Sequence, residues 1–277
     1  MTAVPNLRLN NGVEIPQLGF GVFQIPPAET RAATLEALRV GYRHIDTAEM
    51  YGIEREVGEA VRDSGLDRAE VFVTSKLNNG FHAHDPALQE FDRSLAAMKF
   101  DYLDLFLIHW PLPAVGDYVE TWKTLEEIYR SGRVRAIGVS NFQAHHLERL
   151  ASETETVPAV NQIEIHPYFA QDDLRAFARR HGIATEAWSP LAQGQVLDDP
   201  TIVGIAGRLH RTPAQVTLRW HIQRGDIVFP KSSNAARIAE NFAIFDFELA
   251  PDDMAAIAAL HRNGRRGPNP DEFNWIP

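Results

Sequence analysis

The sequence predicts an α/β fold of the (β/α)8 TIM-barrel type, eight parallel strands ringed by helices. Three observations carry that expectation. Eight short apolar runs alternate with stretches of helical periodicity. Their starts recur at intervals of about 30 residues, the size of one βα unit. No Pro/Gly/Ser-rich linker or low-complexity tract interrupts the chain, so residues 1–277 read as a single domain. The alternative, an open doubly wound sheet, usually has fewer strands or a linker.

Ahead of the first run, residues 7–9 and 13–15 flank Asn10-Asn11-Gly12. An Asn-Gly turn between alternating residues signals a β-hairpin, here placed to plug one end of the barrel. The eight runs are residues 19–23, 43–46, 71–75, 104–109, 136–140, 160–165, 183–188 and 227–230. Leu105-Phe106-Leu107-Ile108 is apolar on both faces, as a buried parallel strand requires. Between the runs, Leu88, Phe91, Leu95 and Met98 form one helical stripe, and Tyr118, Trp122, Leu125 and Tyr129 form another. The gap before the eighth run is longer and holds extra helix. Residues 262–277, with Gly264, Gly267, Pro268 and Pro270, read as a C-terminal loop.

Composition excludes several classes. With 44 % apolar, 9 % aromatic and 23 % charged residues, the chain reads as a soluble globular protein rather than a disordered one. A net charge of -10 disfavours binding to a phosphate backbone, so no nucleic-acid partner is expected. Zero cysteines exclude disulfides, zinc-thiolate sites and a cysteine nucleophile, and fit a reducing compartment. No apolar run approaches the ~18 residues of a membrane span. Pro5, Asn11, Gly12, Glu14 and Pro16 argue against a signal peptide in the first 25 residues. A cytoplasmic protein is the expectation.

In such a barrel, chemistry concentrates where strands end. Asp46 ends the second run and Tyr51 follows it; Lys76 follows the third and His109 ends the fourth. Together they suggest proton transfer to an oxygen. A phenol is a weak acid at neutral pH, and a neighbouring ammonium lowers its pKa. Tyr51 is therefore the candidate acid, Lys76 the cation that tunes it, Asp46 the anchor of Lys76, and His109 a hydrogen-bonding partner for a carbonyl. Each has a bland reading: an N-cap, a packed ring, a snorkelling lysine, a core histidine. Four such residues at successive strand ends are harder to dismiss. Gly19-Phe20-Gly21 begins like a dinucleotide fingerprint, but Gln24 replaces its third glycine. The chain also lacks the P-loop, HExxH and GxSxG patterns. His82, His84, His145 and His146 are too sparse for a metal site, so none is expected.

The stretch Gly41-Tyr42-Arg43-His44-Ile45-Asp46-Thr47-Ala48, with Tyr51-Gly52 and Glu56-Val57-Gly58, resembles the aldo-keto reductase signature. So do Thr74-Ser75-Lys76-Leu77, Ile108-His109-Trp110-Pro111, Gly138-Val139-Ser140-Asn141-Phe142, Asn161-Gln162-Ile163-Glu164 and Pro230-Lys231-Ser232 with Arg237 to Asn241. Pro26-Pro27-Ala28, Val157 to Gln162 and Phe245-Asp246-Phe247 are similar to the bacterial 2,5-diketo-D-gluconate reductase branch. The resemblance implies a barrel enzyme that reduces small carbonyl substrates with NADPH and no metal, acting as a monomer. It implies that Tyr51 is the acid, tuned by Lys76 and Asp46, and that His109 orients the carbonyl. Trp188 would stack on the nicotinamide, and Ser140, Asn141 and Gln162 would bond its carboxamide. Ser189 and Leu191 would also touch the cofactor. Lys231, Ser232, Ser233 and Arg237 would hold the 2′-phosphate, with Glu240 and Asn241 at the adenine. Phe23, Asn78 and Trp110, with Trp275, would line the substrate pocket. Asn78 stands where the branch commonly has tryptophan, which widens or polarises the pocket. Arg265 and Arg266 read as a solvated loop. The competing reading is a cofactor-binding sensor with little turnover; the intact Asp46, Tyr51, Lys76 and His109 argue against it.

Overall fold

The computed structural model describes residues 4–116 and 118–277. Residues 1–3, part of the segment read above for a signal peptide, and residue 117 lie outside the described residues.

All eight predicted runs are strands. In chain order they are β3 (Phe20–Gly21), β4 (His44–Asp46), β5 (Phe72–Leu77), β6 (Leu103–Ile108), β7 (Val134–Ser140), β8 (Val160–Glu164), β9 (Ala184–Trp188) and β10 (Ile227–Val228). Each pairs in parallel with its sequence neighbour. Parallel bridges Leu18 to Val228 and Gly21 to Lys231 bring the first strand against the last, nearly closing the barrel. Gly21 is needed there: a Cβ would stand 2.8 Å from the Phe229 carbonyl oxygen. That closure is the structural reason for the glycine in the abortive Gly-Phe-Gly fingerprint.

The predicted hairpin is β1 (Asn6–Arg8) and β2 (Glu14–Pro16), paired antiparallel with Leu7 opposite Ile15. Gly12, at φ 86°, takes the left-handed turn. Leu9 and Ile15 pack with Phe72, Leu105, Leu107, Ala136, Val160 and Ile227. The hairpin thus closes the end of the barrel where the strands begin. Burying a side chain such as Ile15 contributes about 1.5–3 kcal/mol.

Strand alternation sorts every side chain. On β6, Leu105 and Leu107 enter the lumen, while Phe106 and Ile108 join the outer core under the helices. The helices are α1 (Pro27–Val40), α2 (Glu54–Asp63), α3 (His84–Met98), α4 (Tyr118–Arg130), α5 (Ala144–Glu153), α6 (Asp172–Arg180), α7 (Pro200–Leu209), α8 (Pro213–Gln223), α9 (Ala235–Phe242) and α10 (Pro251–Ala258). The Phe91 stripe lies on α3 and the Trp122 stripe on α4, with Phe91 against Phe106 at 5.0 Å between ring centroids. The long gap before β10 holds α7 and α8, as expected. Residues 262–277 form an extended loop. Among the described residues, no helix is long and apolar enough to cross a membrane.

The lumen changes character along its axis. Near the hairpin it is apolar. Toward the strand ends, inward positions become polar: His44 and Asp46, Thr74 and Lys76, Gln162 and Glu186, all buried. The chemistry collects on that upper layer.

Candidate active site

Lys76, on an inward position of β5, is fully buried, so it does not snorkel. Its Nζ donates to Asp46 Oδ1 and Oδ2, each at 2.9 Å, and to the Thr47 carbonyl at 2.8 Å. All three ammonium protons therefore have acceptors. Burial pulls the Lys76 pKa down, but Asp46, Tyr51 and Glu186 outweigh it and hold the group protonated above its ordinary range. Asp46 also accepts from Gln162 Nε2 at 2.8 Å.

Tyr51 ends a 3-10 turn, Glu49–Tyr51, between β4 and α2. Lys76 Nζ lies 5.4 Å from its ring centroid. One expectation is corrected here: the phenol is pushed up, not down. Burial is the largest cause, Lys76 pulls the other way, and Asp46 adds to the rise. A desolvated tyrosinate is costly, and one cation paired to a carboxylate offsets only part of that cost. Tyr51 is thus fully protonated at neutral pH.

His109 follows β6 with its ring centroid 6.0 Å from that of Tyr51, edge to face. Burial, then Lys76 and His82, hold its pKa well below the ordinary value, so the ring is neutral. Its Nδ1 is buried without a partner among the described residues. Asn141, in the left-handed region at φ 65°, donates from Nδ2 to the His109 carbonyl at 3.0 Å and to Ser140 Oγ at 3.1 Å. Its Oδ1 accepts from Trp188 Nε1 at 2.9 Å. Ser140 Oγ donates to the Gln162 carbonyl at 2.9 Å. The structure thus joins Ser140, Asn141, Gln162 and Trp188 in one network running from His109 to Asp46.

At the other end of the mouth, Ser232 is buried while Lys231, Ser233 and Arg237 are exposed. Neither Lys231 nor Arg237 has an ion-pair partner among the described residues. Asn234 caps α9 by accepting from the Arg237 N–H at 3.1 Å. Two unpaired cations, two hydroxyls and a helix N-terminus suit a phosphate. Glu240 accepts from Thr212 Oγ1 at 2.9 Å, and Asn241 is buried on the same helix. Ser189 sits at φ 50° just past Trp188, with Leu191 two residues on, and Ala192 and Gln193 are also left-handed. Three non-glycine residues held at positive φ within five positions mark a loop shaped for function rather than for chain economy. These features fit NADPH.

On the substrate side, the Phe23 ring is exposed and 4.9 Å from Tyr51, and Trp110 packs 4.3 Å from Phe273. Asn78 is buried, and its Oδ1 has no partner among the described residues. The tail, read from sequence only as a loop, is tied down at several points. Glu164 accepts from the Arg266 and Gly267 N–H groups at 2.6 and 2.8 Å. Asn79 Nδ2 donates to the Trp275 carbonyl at 2.9 Å, and the Ala114 N–H to Asn274 Oδ1 at 2.7 Å. Arg266 is exposed as expected, but Arg265 is half-buried over the Phe169 ring. Glu164, Glu186, Gly267 and Phe273 were missed. For Glu164 and Glu186 the signal is parity, because residues 162, 164, 186 and 188 all face inward; Gly267 and Phe273 lie in the loop and have no such signal.

His145 and His146 do meet a third group, Asp271 of the tail, with Nε2 to Oδ1 distances of 3.2 and 3.6 Å. The His146 Nδ1 accepts the Gln143 N–H at 3.1 Å, so the neutral ring carries its proton on Nε2. That tautomer offers Asp271 a proton and a metal ion no lone pair. A cleft of about 620 Å³ opens at the hairpin end, lined in part by Arg43, Glu70 and Arg135. Their side chains already bond the Leu38 carbonyl, the Asp67 N–H and Asp104.

Comparison with known proteins agrees with the geometry. The Aldo/keto reductase family matches residues 17–262. An aldo-keto reductase of Mycolicibacterium smegmatis is 51 % identical over 271 residues, 98 % of each chain. Methylglyoxal reductase DkgA of Escherichia coli is 46 % identical over 269 residues, 96 % of this chain and 97 % of that one. The crystal structure of a Gox0644 mutant in complex with NADPH superposes with a TM-score of 0.96 at 46 % identity, covering 99 % of this chain and 100 % of that one. With its barrel, its buried Asp46–Lys76 pair beneath Tyr51 and this extent of likeness, the chain belongs to the aldo/keto reductase family.

Proposed function

We propose that the chain is an NADPH-dependent reductase of small aldehydes and dicarbonyls, with Tyr51 as the proton donor. The observation that carries this reading is the buried Asp46–Lys76 pair set against the Tyr51 ring, with neutral His109 beside it. NADPH, when bound, supplies the hydride.

Tyr51 gives its proton to the carbonyl oxygen as negative charge grows there. Lys76 stabilises the tyrosinate left behind; because Asp46 and the Thr47 carbonyl already fix the ammonium, no reorganisation is needed during the step. His109 donates a ring N–H to the same oxygen and orients it. The neutral ring suits that role, since an imidazolium beside Lys76 would be strongly disfavoured. Trp188 presents its indole to the nicotinamide, and Ser140, Asn141 and Gln162 meet its carboxamide. Ser189 and Leu191 line the cofactor path. Lys231, Ser232, Ser233 and Arg237 hold the 2′-phosphate, and Glu240 and Asn241 face the adenine.

Small, polar dicarbonyls suit the substrate side. Asn78 Oδ1 is a buried acceptor without a partner among the described residues, which a hydroxyl or hydrated carbonyl satisfies. The E. coli relative's name, a methylglyoxal reductase, supports the same class. Keto sugars such as 2,5-diketo-D-gluconate belong to it on the branch resemblance noted above. On this reading the chain acts as a single-domain monomer. A cytoplasmic setting supplies the reduced nucleotide. A carbonyl panel assayed with NADPH and NADH tests the reading: methylglyoxal turnover favouring NADPH is expected, and no nucleotide oxidation with any carbonyl would overturn it.

A further inference from the structure

Glu186 lies on an inward position of β9, in the same polar layer as Asp46 and Lys76, and is fully buried. In register it sits between Gln162 of β8 and Ile227 of β10. Gln162 Nε2 donates to Glu186 Oε2 at 2.7 Å and to Asp46 Oδ2 at 2.8 Å. One amide thus uses both its hydrogens to join two carboxyl groups. The other Glu186 oxygen, Oε1, has no hydrogen-bond partner among the described residues; His44 Nε2 is 3.9 Å away.

The charged and titratable groups facing this carboxyl are few. From β4 come Asp46 and His44, and from β5 comes Lys76; β8 offers the neutral Gln162, and β10 offers apolar Ile227. His44 is neutral, because burial and Lys76 hold its pKa to about 3 against the pull of the Pro16 carbonyl, an acceptor for a ring N–H. The pocket therefore holds one cation for two carboxyl groups. Burial raises the Asp46 pKa as well, but Lys76, bonded to both its carboxylate oxygens, and Gln162 oppose that rise, so Asp46 rather than Glu186 keeps the negative charge.

We propose that Glu186 is a positioning residue that stores a proton next to the Asp46–Lys76 pair, so that Gln162 stays oriented and the charge of Lys76 stays available to Tyr51. The proposal rests on the catalytic reading of Tyr51 given above. A neutral Glu186 leaves Asp46 and Lys76 balanced. An ionised Glu186 adds an uncompensated negative charge in the same low-dielectric layer, which disfavours tyrosinate and weakens Tyr51 as an acid. Burial and then Asp46 push the Glu186 pKa up to about 8, so the change falls on the alkaline side of neutrality. The carboxyl neither touches the reacting atoms nor transfers its proton to them.

Two measurements test this. Infrared titration of the cofactor-free protein should show a buried protonated carboxyl at pH 7 that disappears on the alkaline side and is missing in Glu186→Gln. No band sensitive to that substitution at pH 7 overturns the proposal whatever the enzyme turns over. The second is the alkaline pH profile of methylglyoxal reduction. Glu186→Gln keeps a side-chain oxygen for Gln162 but cannot ionise. Its ratio of kcat at pH 9 to kcat at pH 7 should exceed the wild-type ratio by about threefold or more. Equal ratios overturn the charge-balancing role. Glu186→Leu cannot ionise either, so it should flatten the profile as well; because it also removes the acceptor for Gln162, it should lower kcat at both pH values, where Glu186→Gln does not. An infrared band with no turnover in the wild type would instead fault the catalytic reading, and with it the role assigned here.

Discussion

Lys76 Nζ lies 2.9 Å from both carboxylate oxygens of Asp46, and the pair is sealed in the barrel lumen. A buried ion pair gains little net stability over an apolar pair, while losing one partner is expensive. Its place under Tyr51 gives it a chemical reason to exist.

Removing Lys76 should therefore damage two properties at once. Lys76→Met is expected to lower kcat by at least about a hundredfold. It should also cost about 3–5 kcal/mol of stability, because Asp46 is left buried and unpaired. Chemical denaturation checks the second effect. The double variant Asp46→Leu with Lys76→Met should recover much of the stability and none of the turnover. Recovered turnover would show that the pair is only a packing element.

Arg237 is exposed, free of acidic partners among the described residues, and on the first turn of α9 beside Lys231. Arg237→Ala should raise the Kd for NADPH about tenfold or more, the value of a charge-assisted hydrogen bond, and leave NADH nearly unchanged. Fluorescence titration with both nucleotides measures this. An equal loss for the two would remove the phosphate role.

The tail reaches the cofactor side through Gly267. A Cβ there would stand 2.4 Å from Trp188 Cη2. Gly267→Ala must shift either the indole or the loop held by Glu164, and such overpacking costs about 1–3 kcal/mol. Weaker nucleotide quenching of tryptophan fluorescence is expected. Gly204, inside α7 with nothing within 4 Å of an added Cβ, is the control. Gly204→Ala should stabilise by about 0.5–1 kcal/mol without touching binding. Unchanged quenching in Gly267→Ala would mean the contact does not govern Trp188.

Glu54 gives a pH prediction with a definite sign. On α2 it accepts from Ser75 Oγ, and burial, against that bond and the nearby Ser94 hydroxyl, raises its pKa from 4.5 to about 7. The folded state therefore binds its proton more tightly than the unfolded state. The resulting stability is complete below about pH 4.5 and is lost as pH rises through about 7, on the order of 3 kcal/mol. Glu54→Gln should thus be more stable relative to wild type at pH 8 than at pH 5. Denaturation midpoints at the two pH values decide it; an identical difference at both would contradict the shift.

The barrel was legible because its strands are apolar on both faces and evenly spaced, and because Asp46, Lys76 and His109 stand where those runs stop. Glu164 and Glu186 were not singled out, since a glutamate inside an apolar run looks like an interruption until its neighbours' parity is known. The direction of the Tyr51 shift was misjudged for a similar reason. The sequence shows the cation, but not how deeply the surrounding strands bury the phenol. The tail contacts of Trp275 and Asn274 join segments more than 150 residues apart, which no local pattern encodes.

The central claim is that the Tyr51 hydroxyl delivers the proton, and Tyr51→Phe isolates that oxygen while keeping the ring against Phe23 and Lys76. The direct measurement is NADPH oxidation with methylglyoxal by Tyr51→Phe, after fluorescence titration shows that nucleotide binding is retained. Turnover should fall by at least about a hundredfold with the Kd for NADPH unchanged. Near-normal turnover in that variant would contradict the account.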